Sequence, residues 1–268
     1  MKPAWSWQFD PATLQRVAAS LPAAITREWA WEGSTGAGVK VAVIDSGIDA
    51  AYPGVGPLAG GAVVVADAEA PRGVRIIEGP HEDLFGHGTA CAAIIRQAAP
   101  DAELYSIRVL GERLTGRGIV FAEGMRWALA HGMQVLNMSL STSRVDYFGL
   151  FHEIVDEAYF KRAMVVCAVN NVRTPSYPSQ YASVFSVAAH EGRDPFHFDY
   201  NTSPPVEFGA PGIDLEVGWL GGRTIRATGN SFAAPHVTGL IARILGKHPG
   251  LTPFQMKTVL LALADNAR

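Results

Sequence analysis

Cysteine is scarce in this chain, which has only Cys91 and Cys167 among its 268 residues. Two cysteines cannot build the disulfide framework of a small secreted domain, so a reducing compartment is the simpler expectation. The N-terminal residues also lack the apolar core of a secretion signal. Both observations predict a cytoplasmic location. The alternative is that the sequence belongs to a longer secreted precursor.

Long apolar runs and a strong excess of one charge are missing too. No stretch of about 18 uninterrupted apolar residues occurs, which argues against a transmembrane helix. The formal net charge is −3, so there is no basic footprint to indicate nucleic acid or an anionic membrane as a partner. The composition leaves the oligomeric state open.

The chain does have the material for a large core, since 48% of its residues are hydrophobic. α/β folds of this length are often single domains. Strand-like runs at 39–44, 103–110 and 163–169 alternate with helical runs such as 119–130, which is the pattern of a parallel sheet covered by helices. We therefore predict one α/β domain with a mostly parallel central sheet and helices on both faces.

The N-terminal segment, residues 1–32, differs in composition from the rest. It has a weakly helical stretch at 11–20, no repeat, and four of the six tryptophans, namely Trp5, Trp7, Trp29 and Trp31. It is predicted to be an arm that aromatic side chains anchor on the surface of the domain formed by residues 33–268.

A serine stands where a small turn meets an apolar helix. Ser231, in GNSFAAPHVTG, follows Gly229 and Asn230, which is the expected N-cap, and Pro235 is expected in the first turn. Free N–H groups and the positive end of a helix dipole suit an oxyanion forming on an attacked carbonyl. An ordinary N-capping serine would show the same local pattern, so this stretch leaves both interpretations open.

The chain also supplies a candidate base and a candidate carboxylate. A β-branched strand beginning at Val39 ends in Asp45, and the carboxyl end of a strand is where open α/β sheets place their ligands. His87 lies where a loop enters an apolar helix. A serine, a histidine and an aspartate in such settings indicate nucleophilic catalysis.

Taken together, VAVIDSGID, GHGTAC and GNSFAAPHVTG, in the order Asp, His, Ser, resemble the three signature blocks of the subtilisin-like serine proteases, the subtilases. The resemblance runs from about Trp29 to the C-terminus. It implies a subtilisin-like fold and a serine endopeptidase that acts on peptides or proteins, without a cofactor. Ser231 would attack the carbonyl and form an acyl-enzyme, His87 would transfer the proton, and Asp45 would orient the imidazole.

The resemblance also implies an oxyanion donor. Subtilases place an asparagine, preceded by glycine, at the end of the strand that corresponds to 163–169. The register assigns this role to Asn171, with Asn170 in place of the glycine, and that departure leaves Asn170 as a second possibility. An amide donates to developing negative charge without titrating.

Two segments match those that flank an extended substrate in subtilases, where main-chain hydrogen bonds bind the peptide and side-chain pockets select it. Relatives often have Gly-Gly where this chain has Ser141 and Thr142, so the pocket before the cleaved bond is expected to be narrow and to prefer small side chains. The predicted substrate-binding residues are Leu114, Thr115, Gly116, Ser139, Leu140 and Ser141.

No metal is expected at the catalytic residues, although Asp194, Asp199 and Asp214 leave a calcium site elsewhere open. His81, Glu82 and Asp83 are close in sequence, but their spacing does not match zinc patterns. The insertion that helps many subtilases to bind calcium is missing after residue 95. The first catalytic strand begins near residue 39, so the resemblance indicates a compact form that lacks a signal peptide and a prodomain.

Cys91 lies four residues after His87 on the same predicted helix. Side chains at i and i+4 share a face, so the Cys91 sulfur is expected close to the imidazole. The alternative interpretation is a small buried hydrophobe.

Two rival functions fit the sequence less well. An α/β-hydrolase esterase needs a G-x-S-x-G elbow and the order Ser, Asp, His, and the chain has neither. A catalytically silent subtilase-fold protein that binds peptides should lack one of the three catalytic residues, but all three are present. The substrate stays open between general protein turnover and one dedicated precursor peptide.

Overall fold

The computed structural model describes Ala12 and residues 21–267. The predicted helix at 11–20, apart from Ala12, and the predicted anchors Trp5 and Trp7 lie outside this part of the chain. Within the described residues the α-helices are α1 Arg27–Trp31, α2 His87–Ala98, α3 Gly118–Ala130, α4 Phe148–Phe160, α5 Asn230–Lys247 and α6 Pro253–Leu263. None of the described helices is long and apolar enough to cross a membrane.

In the described part of the chain, nine strands form the central sheet and two more form a separate hairpin. The sheet order is β3-β2-β4-β1-β5-β6-β7-β9-β8. All pairings inside it are parallel except the two at its ends, β2 with β3 and β8 with β9. The strands are β1 Lys40–Asp45, β2 Gly60–Ala66, β3 Val74–Glu78, β4 Glu103–Arg108, β5 Val135–Met138, β6 Met164–Ala168, β7 Phe185–His190, β8 Asp199–Tyr200, β9 Phe208–Pro211, β10 Leu215–Gly218 and β11 Thr224–Ala227.

Apolar helices cover both faces of this sheet, which confirms the predicted fold class. Side chains of α1, α2, α5 and α6 pack on one face together with Val41 and Val43 of β1. Side chains of α3 and α4 pack on the other face against Ala42 and Ile44. Successive residues of β1 therefore serve opposite faces, as the two-residue period of a strand requires.

The first helix joins the N-terminal segment to the domain. Trp31 is buried in the apolar cluster that contains α5, and the Trp29 ring stacks on His248 at 4.2 Å between centroids. Lys247, the residue before His248, donates to the carbonyl oxygens of Glu28 and Glu32. Aromatic anchoring thus holds for the part of the arm that is described, whereas the boundary at residue 32 stays a prediction.

Candidate active site

Asp45 and His87 meet at the carboxyl edge of the sheet. Asp45 is the last residue of β1, in the middle of the sheet, and His87 is the first residue of α2. His87 Nδ1 lies 2.9 Å from both carboxylate oxygens of Asp45, and both side chains are buried. The backbone N–H of Ser46 donates to Asp45 Oδ1 at 2.8 Å, which fixes the carboxylate further.

This contact controls the charge of the imidazole. Burial is the largest single effect on the pKa of His87 and lowers it, but the negative charge of Asp45, together with the contributions of Cys91 and of the hydrogen bonds to both residues, raises the pKa well above 6.5. The same carboxylate leaves Nε2 as the ring nitrogen that can exchange a proton with a reactant.

The loop before His87 is built around a carboxylate that the sequence did not assign. Asp83 accepts hydrogen bonds from the hydroxyls of Ser46 and Thr89 at 2.8 and 2.6 Å, and from three backbone N–H groups, of Phe85, Gly86 and Thr89, at 2.8 to 3.0 Å. Its oxygens are therefore used by the chain itself. The sequence signal was an aspartate just before a glycine-containing turn, where such local bonds are common.

His81 and Glu82, which are close to Asp83 in sequence, have other partners in the fold. His81 Nε2 lies 2.9 Å from Ser106 Oγ, and its Nδ1 lies 3.0 Å from the Gly79 carbonyl oxygen. The Glu82 carbonyl oxygen accepts from Arg108. Both ring nitrogens of His81 are thus engaged within the fold.

Ser231 is the second residue of α5, but the start of this helix differs from the prediction. Gly229, with an extended backbone, is the N-cap, and Pro235 is the sixth helical residue, not part of the first turn. Asn230 cannot act as the cap because its side chain reaches the sheet. Its Oδ1 accepts from Ala189 N at 2.9 Å, and its Nδ2 donates to the carbonyl oxygen of Val169 at 3.2 Å.

Cys91 lies between the three catalytic candidates. Its sulfur is 3.9 Å from His87 Nδ1, 3.9 Å from Asp45 Oδ2 and 3.6 Å from the carbonyl oxygen of Ser231. The expected contact with the imidazole is therefore present, and the thiol is fully buried as well. The Ser231 hydroxyl has no hydrogen-bond partner within residues 21–267, and contacts of this kind commonly tighten only when a substrate is bound.

Asn171 faces the turn that precedes Ser231. Its Oδ1 accepts from Asn230 N at 2.9 Å, which leaves Nδ2 free to donate. A Cβ placed on Gly229 would lie 3.6 Å from that Nδ2 and 3.1 Å from Ser231 Oγ, so both atoms border the same small space. Asn170 turns away, since its Oδ1 accepts from Val172 N. This geometry favours Asn171 as the donor.

A cleft of about 140 Å³ opens beside Ser231, and its lining includes three of the predicted substrate-binding residues. Thr142, expected to narrow this pocket, is not among the described lining residues, because its backbone pairs with Tyr177 at 2.8 and 2.9 Å. Only Ser141 of that pair borders the cleft. The lining residues are Ser139, Leu140, Ser141, Ala168, Val169, Asn170, Asn171 and Ser231.

The other predicted substrate segment, Leu114 to Gly116, lies before α3. Leu114 adopts a left-handed backbone with φ 52° and packs on the same apolar cluster as Leu140. A Cβ on Gly116 would lie within 3 Å of both the Phe121 ring and the Val109 carbonyl oxygen, so this position requires glycine. The two segments share one face of the sheet, and it is residues 139–141 that reach Ser231.

Comparison with known proteins agrees with this architecture. The model of the subtilase family matches residues 36–268. The chain belongs to the subtilase family. Subtilisin E of Bacillus subtilis (strain 168) is 31% identical over 248 residues, which are 87% of this chain and 62% of that protein. This chain thus spans less than two thirds of that relative's length.

Two further relatives extend the comparison. Subtilisin of Bacillus pumilus is 30% identical over 248 residues, which cover 87% of this subtilase and 86% of that protein. Among solved structures, a cold adapted subtilisin-like serine proteinase superposes with a TM-score of 0.68 at 22% identity, covering 84% of this chain and 82% of the other. The structural likeness shows the subtilisin-like fold.

Proposed function

We propose that this subtilase is a serine endopeptidase that cleaves peptide bonds through Asp45, His87 and Ser231. One observation carries the proposal: a buried imidazole, bound through Nδ1 to both oxygens of Asp45 at 2.9 Å, lies against the helix start that presents Ser231. A sulfur atom within 4 Å of all three residues shows how closely they converge.

The chemistry follows from the roles of these groups. His87 Nε2 takes the proton of Ser231 as its hydroxyl attacks the carbonyl, and then gives that proton to the leaving amine. Asp45 stabilises the imidazolium that forms between these steps. The N–H of Ser231, which has no intrahelical acceptor at the second helical position, and Asn171 Nδ2 donate to the oxyanion. Water hydrolyses the acyl-enzyme by the same route.

Active-site labelling with a fluorophosphonate tests the proposal. The wild-type protein should label at Ser231 and hydrolyse a casein substrate, whereas Ser231→Ala should do neither while keeping its circular dichroism spectrum. Ser203→Ala, a change at an exposed serine, is the matched control and should label fully. A folded wild-type protein that does not label would favour the alternative, a silent subtilase fold that only binds peptides.

The substrate is proposed to be a polypeptide bound in extended form, either in general protein turnover or as one dedicated precursor peptide. Support for selectivity comes from the small volume of the cleft beside Ser231. Both cysteines are free and buried, which is compatible with the proposed action in the reducing cytoplasm. Cleavage of a peptide library by the purified enzyme separates the two cases: a broad profile indicates turnover and a single strongly preferred sequence indicates a dedicated precursor.

A further inference from the structure

Two histidines and an aspartate converge at a place that the proposed chemistry does not use. His190 is the last residue of β7, Asp199 is the first residue of β8, and His197 lies in the loop between them. One ligand atom from each of the three residues can be chosen so that all lie within 4.8 Å of one another. All three residues are partly exposed.

We propose that His190, His197 and Asp199 form a binding site for a divalent transition metal ion of the zinc type, which ties the loop at residues 191–198 to strands β7 and β8. Two imidazoles and one carboxylate are the donor set that zinc, cobalt and nickel accept. Calcium takes oxygen ligands, so this set does not suit it.

The distance between His197 and Asp199 fits coordination of a shared metal ion better than a direct hydrogen bond. His197 Nε2 lies 3.6 Å from Asp199 Oδ1, which is longer than an N–H···O hydrogen bond. Two ligand atoms about 2.1 Å from a tetrahedral zinc ion would be roughly 3.4 Å apart, so these atoms are already near the required spacing. The His190 and His197 rings stand at 90° to each other with centroids 5.1 Å apart.

A buried ring atom without a partner provides a second, independent indication. His190 Nε2 is buried and has no hydrogen-bond partner within the described part of the chain. A buried polar atom that is left unsatisfied destabilises the folded state. A metal ion at Nε2 would remove that destabilisation.

The proton on this ring must move when a metal binds. His190 Nδ1 accepts from Gly192 N at 2.9 Å, which places the proton of the neutral ring on Nε2. On binding, that proton shifts to Nδ1, and the Gly192 N–H turns toward solvent. Glu191 and Arg193, on either side of Gly192, are exposed, so solvent lies beside this peptide, while the Arg193 side chain stays paired with Asp214 at 2.9 Å.

The His197 ring also has a carboxylate near its other nitrogen, on the side where metal-bound histidines usually have a hydrogen-bond partner. Its Nδ1 lies 3.6 Å from Asp265 Oδ2, and that carboxylate is held by Arg27 at 2.8 Å and by the backbone N–H of Phe198 at 3.1 Å. A carboxylate behind an imidazole orients the ring toward the metal.

Titration of the full-length, tag-free protein tests the site. The Ser231→Ala variant prevents self-digestion, and chelation followed by dialysis removes bound ions. We expect one equivalent of Co²⁺ to bind with visible ligand-field absorption, and Zn²⁺ to displace it and raise the melting temperature. His197→Ala and Asp199→Asn should each weaken binding by more than about 10²-fold, because loss of an outer partner alone costs 10- to 100-fold.

Two controls make the result specific. His152→Ala removes an exposed histidine that also has an aspartate 3.6 Å away, Asp156 on α4, and should leave binding unchanged. Asp45, His87 and Cys91 also offer three ligand atoms within 4.8 Å of one another, so the titration is repeated with Cys91→Ala, which should bind as before.

The outcomes that overturn the proposal are distinct. One is the absence of saturable binding of one equivalent. Another is that folded His197→Ala and Asp199→Asn bind the metal ion as tightly as the protein with all three ligands. A third is loss of binding in Cys91→Ala alone. Asp265→Asn, expected to weaken binding 10- to 100-fold, gives a test that leaves all three ligands in place. Fluorophosphonate labelling is measured separately on metal-free wild-type protein, so the failure of this site and the failure of the proposed protease function can be told apart.

Discussion

Pro235 leaves the carbonyl oxygen of Ser231 without its helical hydrogen bond, because a proline four residues later has no N–H to donate. Ser139 Oγ binds that oxygen at 2.8 Å instead. Ser139 Oγ in turn accepts from Asn137 Nδ2 at 3.0 Å and lies 3.2 Å from Cys91 Sγ. The helix that carries the proposed nucleophile is thus fastened to the end of β5 by a side chain that the sequence suggested only as a substrate contact.

Replacing Ser139 by alanine should lower kcat while changing KM little. The Ser231 carbonyl would lose its donor, and a shift of about 1 Å at the nucleophile can cost on the order of 10²-fold in rate. Steady-state kinetics on a short peptide ester would measure the effect. Ser141→Ala is the matched control, since Ser141 lines the same cleft. An equal loss of kcat in both variants would show that the bond to Ser231 is not the cause.

Asn171→Ala should reduce kcat by roughly 10²–10³-fold, the size established for one oxyanion-hole donor in subtilisin itself. The free Nδ2 beside the Ser231 turn is the reason, and KM should change little because the charge develops only during reaction. Asn170→Ala, at the neighbouring position whose Oδ1 is bound to Val172 N, is the control and should be much milder. If Asn170→Ala is the more damaging change, the assigned register is wrong.

The rate should rise with pH through a histidine titration above pH 6.5. His87 must be neutral to accept the serine proton, and its pKa is raised well above 6.5 by Asp45 despite the opposing effect of burial. Activity is therefore low below that pKa and increases as the imidazole loses its proton. The ascending limb of a plot of kcat/KM against pH measures the pKa of His87.

Asp45→Asn supplies the companion experiment. Without the negative charge, the lowering effect of burial becomes the dominant influence on the His87 pKa, so the ascending limb should move to lower pH. Turnover should also fall by about 10⁴-fold, the loss known for the same change in another serine protease. An ascending limb that stays in place would mean that His87 is not the titrating group.

Mercuric ion should inhibit the enzyme through Cys91. Burial raises the pKa of this thiol, and its sulfur lies 3.9 Å from His87 Nδ1, so a bonded metal atom would displace the imidazole by enough to cost about 10²-fold in rate. Excess thiol should restore activity. Cys91→Ala should resist the inhibitor, and Cys167→Ala, at the other buried cysteine, should stay sensitive. Equal sensitivity of Cys91→Ala and the wild type would exclude this contact as the cause.

Small side chains should be preferred before the cleaved bond, because Ser141 lines a cleft of only about 140 Å³. Ser141→Gly should improve cleavage after large apolar residues, by up to about 1–3 kcal/mol in kcat/KM. Thr142→Gly should do less, since Thr142 pairs with Tyr177 through its backbone. Peptide-library profiles of the two variants decide the point, and a wild-type profile dominated by phenylalanine or tyrosine would contradict the prediction.

Local sequence determined the strand that ends in Asp45 and the position of Cys91 relative to His87. The β-branched run before Asp45 makes a buried strand, and its carboxyl end has a known relation to ligands. The four-residue step from His87 to Cys91 sets a distance along one helix, which the structure gives as 3.9 Å between Sγ and Nδ1. Both follow from regular backbone geometry, which depends on residues only a few positions apart.

Tertiary structure decided which distant groups meet. Ser46 reaches Asp83 across 37 residues, and Ser139 reaches Ser231 across 92, because the sheet places β1 and β5 side by side under α5. The capping role expected of Asn230 was wrong because tertiary bonds to the sheet took its side chain. No periodicity in the sequence predicts such contacts, since they depend on strand order and helix packing.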